Sequence, residues 1–109
     1  MPRETLGELE QQILLAILQR DGESYSVQIV EELEKRTGRE VAQAAVFIVL
    51  RRLEEKGLLV SRLDDSAMAR TGRVRRYFAT TPLALERLRA SRRALLELWD
   101  GLEEVLSEP

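Results

Sequence analysis

The chain has 109 residues, enough for one domain with a modest core; 44% are apolar and 33% charged, a balance that excludes a disordered chain. The formal net charge of −2 excludes a basic coat over the whole surface, so any nucleic-acid binding must rest on a local patch of positive charge. There is no Cys and no His, which removes disulfides, thiolate nucleophiles, imidazole acid–base chemistry and nitrogen–sulfur metal sites together.

The first predicted helix covers residues 6–20. Thr5 with Glu8 three residues on is a capping box. Leu6, Leu9, Ile13, Ala16 and Ile17 share one face, and Leu14, Leu15 and Leu18 widen it, as expected of a central helix contacted from several sides. Asp21-Gly22 ends it. A second helix runs from Tyr25 or Ser26 to Arg36, with Ile29, Val30 and Leu33 inward and Thr37-Gly38 as its stop. A short extended piece, Arg39-Glu40-Val41, leads to a third helix over residues 42–56, with Val46, Leu50 and Leu53 as its core stripe and Gly57 as its end. Its start lacks a side-chain acceptor, because Ala42 stands where Ser, Thr, Asp or Asn serves best.

The period then changes from 3.6 to 2. Residues 58–63 read as a strand, 64–72 as a loop and 73–80 as a second strand rich in β-branched and aromatic residues, making a hairpin with a long tip. Thr81-Pro82 opens a last helix, with Thr as cap and Pro in the first helical position, and its pattern continues to Leu106. Leu85, Leu88, Arg92, Leu95, Trp99, Leu102 and Leu106 alternate in steps of three and four, a heptad seam weakened by Gly101. The order predicts a mainly α, α+β winged helix. It has a three-helix helix-turn-helix core, a two-stranded β wing and a long C-terminal dimerisation helix. Residues 1–81 are the DNA-binding unit and 82–109 the dimerisation helix of the same compact body.

Several runs carry a resemblance beyond topology: residues 6–10 followed by 13–18, Ser24-Tyr25-Ser26 ahead of 29–33, the stretch 50–59, the run 71–78, and Thr81-Pro82 opening a helix that contains Leu88. In this order and spacing the chain resembles PadR-family transcriptional regulators over residues 6–100. The resemblance implies a homodimer built through the first and last helices, repression relieved by a small-molecule effector, and no enzyme chemistry. It also implies Ser or Thr near Ala42 and Tyr near Phe47. Here residues 42–49 carry one polar side chain, Gln43, so an apolar face, suited to thymine methyl groups or to weak reading, stands where bases are read.

Candidate contacts to duplex DNA are Arg70, Arg73, Arg75 and Arg76, four guanidiniums within seven residues that contain no acid. Strand alternation puts Arg75 and Arg76 on opposite faces. The plain alternative is an edge-strand charge pattern that prevents aggregation. On the third helix, Gln43 suits adenine, Arg51 a phosphate, and Arg52 either DNA or an ion pair with Glu54 or Glu55. Phe47 packs on a sugar or a thymine methyl, or leans on the body; Ile48 or Val49 belongs to the core. Trp99 packs in the dimer or stacks on a flat apolar effector. Arg92, on the same seam, needs an acid partner or an exposed edge.

Asp64-Asp65 reads as a solvated turn, without the ligand count of a cation site. No catalytic residue, cofactor or metal is expected. No run approaches the roughly 18 apolar residues of a membrane span, and residues 1–8 carry no apolar leader, so a cytoplasmic location is expected. The competing function is a winged-helix protein-interaction module that no longer reads an operator.

Overall fold

The computed structural model describes residues 6–66 and 68–107. Its elements are α1 (Glu8–Leu18), β1 (Glu23–Ser24), α2 (Ser26–Thr37), α3 (Gln43–Glu55), β2 (Leu59–Asp64), α4 (Met68–Thr71), β3 (Arg75–Thr80) and α5 (Pro82–Trp99). The expected winged-helix order is present. α1 is the central helix, in contact with α2, α3, β1 and β3. Its Ile13, Leu14 and Ile17 are fully buried against Ile29 of α2, Val46, Leu50 and Leu53 of α3, Leu59 of β2 and Phe78 of β3. Burial of this kind stabilises a domain by about 1.5–3 kcal/mol per large apolar side chain.

Two carboxylates inside this body were not foreseen. At the start of α1 the Glu10 carboxylate accepts the Gly7 N–H at 2.9 Å and meets the Lys56 ammonium, just beyond α3, at 2.9 Å. Burial works against the charged form of Glu10. The Lys56 and Gly7 hydrogen bonds and the nearby charges of Lys56 and Arg52 outweigh it and hold the carboxyl below its ordinary range. The expected Thr5–Glu8 box has its first member outside the described residues. Glu32 on α2 is also buried and takes Arg20 at 3.2 Å and Arg36 one turn away, tying the end of α1 to α2.

The expected two-stranded ribbon is a three-stranded antiparallel sheet in the order β1-β3-β2. The additional strand comes from the turn after α1. Asp21 at φ 62 and Gly22 at φ 85 reverse the chain in left-handed backbone, and the Thr80 N–H bonds to the Gly22 carbonyl at 3.2 Å. Glu23 and Ser24 are thereby delivered to the otherwise open edge of β3, opposite Ala79 and Phe78. On the other edge, Ser61, Arg62, Leu63 and Asp64 of β2 face Phe78, Tyr77, Arg76 and Arg75. β3 begins at Arg75, two residues later than expected, and the tip holds a single helical turn, α4, where a plain loop was read.

At the start of α3, Ala42 sits in extended backbone and offers no side-chain cap, as expected. Thr81 caps α5: its hydroxyl accepts the Ala84 N–H at 3.3 Å and donates to the Gly57 carbonyl at 2.8 Å, which fixes the departure of α5 from the sheet. The expectation that this helix reaches Leu106 is corrected. It ends at Trp99, because Asp100 leaves helical backbone and Gly101 turns at φ 82, a conformation glycine adopts freely. Leu102 and Leu106 follow in turns. Leu88, assigned to the seam between copies, is buried in the chain's own core with Ala84.

Candidate nucleic-acid interface

α3 turns Val46, Val49, Leu50 and Leu53 inward and leaves Gln43, Ala44, Phe47, Ile48 and Arg51 exposed. Of the two residues considered for the core, Val49 is taken and Ile48 is left 60% exposed. Phe47 is 40% exposed and leans on the body: its ring meets the buried Phe78 edge to face, centroids 6.1 Å apart. The Gln43 Nε2 donates to the Ser26 hydroxyl at 3.0 Å, which ties the start of α3 to the start of α2.

Side-chain contacts link the sheet to both ends of this helix. Arg75 lies over the ring of Tyr25 at 4.6 Å, and Tyr25 meets Tyr77 edge to face at 5.3 Å. Tyr25 precedes Ser26 directly, so Arg75, Tyr25, Ser26 and Gln43 form an unbroken line from β3 to the first turn of α3. Arg76 points to the opposite face, as alternation requires. Its Nη1 donates to the Ser61 hydroxyl at 3.0 Å, and Ser61 donates to Glu54 near the end of α3. Arg51 meets the same Glu54 at 3.8 Å. Arg51 and Arg76, distant in sequence, thus converge on one carboxylate. Arg52, assigned either to DNA or to an ion pair with Glu54 or Glu55, is exposed and its charge acts on Glu10.

Arg70 lies in α4 at the wing tip, and Arg73 lies between α4 and β3. Among the described residues no carboxylate pairs with Arg70, Arg73 or Arg75, whereas Arg20, Arg36, Arg51, Arg62 and Lys56 all have acid partners. The sheet arginine that sequence reasoning passed over is Arg62. It grips Glu23 through two hydrogen bonds, at 2.7 and 3.1 Å, reaches Asp64 at 3.5 Å and lies 4.8 Å over the Tyr77 ring. The pairing holds the Glu23 carboxyl below its ordinary range and raises Arg62 further. Its place opposite Tyr77 follows from the hairpin register, and Glu23 joins it only through β1. Asp64 accepts the Ser66 N–H at 2.8 Å, which makes it a turn-forming acid.

Away from this surface, Leu15 and Leu18 of α1 and Leu85, Leu95, Leu96 and Trp99 of α5 line an apolar groove of about 430 Å³, completed by Gln11, Leu88, Arg89 and Arg92. The structure therefore gathers Leu85, Leu88, Arg92, Leu95 and Trp99 along one wall and leaves Leu102 and Leu106 outside it. Arg92 is exposed. Among the described residues no group of acids is placed to hold a metal ion, and no helix is long and apolar enough to cross a membrane.

No curated protein matches the chain. Solved structures do. The chain is similar to a PadR-family transcriptional regulator from Eggerthella lenta at 27% identity and TM-score 0.70, over 94% of this chain and 88% of that one. A PadR-like regulator from Bacillus cereus shares 24% identity at TM-score 0.71, over 93% of each chain. A PadR-family regulator from Clostridium difficile shares 18% at TM-score 0.68, over 89% of this chain and 98% of that one. The last two likenesses establish the winged-helix fold. The family model described as transcriptional regulator PadR-like matches residues 14–90, from the core of α1 into α5. The chain belongs to the PadR-like family of transcriptional regulators.

Proposed function

We propose that this regulator binds duplex DNA sequence-specifically as a homodimer and represses transcription until an effector releases it. The observation that carries the DNA reading is that, among the described residues, Arg70, Arg73 and Arg75 of the wing have no acid partner, together with an α3 face turned outward. In a chain of net charge −2, three guanidiniums without acid partners are available for phosphates, and the counterions they displace supply affinity. The α3 helices of two copies, about 34 Å apart, then meet successive major grooves of a near-palindromic operator. The groove between α1 and α5 supports the dimer, since a second copy removes its leucines and Trp99 from water. The same Trp99 stacks on a flat apolar effector held between the copies in this reading. No enzyme chemistry is proposed, and the protein acts in the cytoplasm.

Fluorescence anisotropy against the DNA upstream of its own gene, with a scrambled duplex and a salt series, tests this reading. The expected result is preference for the native fragment with a steep fall in affinity as salt rises. Arg70→Ala, Arg73→Ala and Arg75→Ala each lower the salt slope by about one. Failure of a folded dimer to bind that fragment or a genomic pool transfers the function to protein interaction, which the exposed Phe47 and Ile48 favour. Leu95→Glu in the groove converts the dimer to monomer in sedimentation equilibrium; an unchanged dimer overturns the assignment of its interface.

A further inference from the structure

The outward face of α3 has an apolar centre and a polar edge. Ala44, Phe47 and Ile48 follow the three- and four-residue steps of one helix face, all exposed. Exposed apolar side chains grouped on one element mark a binding surface more often than chance placement does. Their surroundings decide among occupants. Gln43 stands at one end, linked through Ser26 and Tyr25 to Arg75, and Arg51 stands at the other, meeting the same Glu54 that Arg76 reaches through Ser61. Unpaired cations continue along the wing. A polyanion with apolar groups in its interior fits this arrangement, and the sole apolar group on the floor of the major groove is the C5-methyl of thymine.

Gln43 adds to the match. The Nε2 donates one hydrogen to Ser26, and the Oε1 and the other N–H remain for a base. That pair complements the N6 and N7 of adenine. An A·T pair therefore offers something to both parts of the face: adenine to Gln43 and the thymine methyl to the apolar strip.

Resting on the DNA-binding reading above, we infer that Phe47 and Ile48 are the specificity-determining residues and that they read thymine 5-methyl groups in A·T-rich half-sites. Phe47 is seated against Phe78, while Ile48 is the more exposed of the two.

The test uses the full chain. A duplex selected from a random pool is prepared twice, once with thymidine and once with deoxyuridine in the half-sites. Uracil keeps the O4 acceptor and the base pairing and lacks only the methyl. The expected result is about three- to fivefold weaker binding of the wild type for each contacted methyl removed. Ile48→Ser, an exposed substitution that leaves the core intact, binds the two duplexes more nearly equally. Equal wild-type affinity for both duplexes overturns methyl reading while DNA binding stands. Full discrimination retained by Ile48→Ser overturns the assignment to Ile48. Failure to select any duplex overturns the DNA-binding reading itself.

Discussion

Lys56→Met tests the ion pair that joins the start of α1 to the end of α3. The substitution keeps most of the side-chain length and removes the ammonium 2.9 Å from Glu10. Glu10 retains only the Gly7 N–H and the more distant charge of Arg52. A hydrogen bond between charged partners contributes ~1.5–3 kcal/mol, and breaking a fully buried pair costs ~3–5 kcal/mol. The Lys56 side chain is 34% exposed, so water already weakens the pair, and the lower end applies: about 1.5–2 kcal/mol at neutral pH. For a domain of this size that is a fall in Tm of roughly 10 °C.

The loss depends on pH with a definite sign. The folded-state pKa of Glu10 lies below its ordinary value of 4.5, so its contribution is complete above that value and is lost as pH falls through the folded one. Without Lys56 the effect of burial is less opposed, Glu10 takes up its proton at higher pH, and the stranded charge disappears. Urea unfolding followed by circular dichroism, at one protomer concentration, therefore shows a difference between wild type and variant at about pH 7 that is smaller at an acid pH below 4.5. An equal difference at both pH values, or none at neutral pH, refutes the reasoning.

Phe78→Ala empties the position where α1, α3 and the sheet meet and destabilises the domain by about 3–5 kcal/mol in the same unfolding assay. Thr81→Ala removes both the cap of α5 and the bond to the Gly57 carbonyl, at a cost of about 1–2 kcal/mol. Tyr25→Ala removes the ring beneath Arg75 and weakens DNA binding several-fold in anisotropy titrations without a loss of charge; unchanged affinity shows that the stack does not position Arg75.

The helices were legible because each buries one stripe: Ile13 and Ile17, Ile29 and Leu33, or Val46, Leu50 and Leu53 repeat at the spacing of a helix face. β1 was not legible. Two residues carry no alternation, and Glu23 and Ser24 form a strand only because Ala79 and Phe78 lie opposite. The overlong last helix has the converse origin. Leu102 and Leu106 continue the apolar rhythm, and the rhythm carries no information about the left-handed turn at Gly101. At the candidate interface, alternation separated Arg75 from Arg76, but nothing local revealed which arginines had acid partners. Arg62 and Arg75 look alike in sequence, and the tertiary pairing with Glu23 makes one a structural clasp and leaves the other unpaired. Glu10 and Glu32 resemble surface acids until Lys56, Arg20 and Arg36 fold over them.

The pairing of β1 with β3 also orders events during synthesis. The turn after α1 leaves the ribosome well before the strand that holds its hydrogen-bond partners. Until β3 emerges, Ser24 lacks its strand partner Phe78, and Ile13 and Ile17 lack the cover of the same ring. Helices α1, α2 and α3 are then left with an apolar side open to solvent, the kind of surface that chaperones and proteases engage in general. Arrival of β3 closes the sheet in one step, joining the first and last thirds of the chain. A nascent chain stalled inside the wing remains exposed to degradation however well its helices have formed.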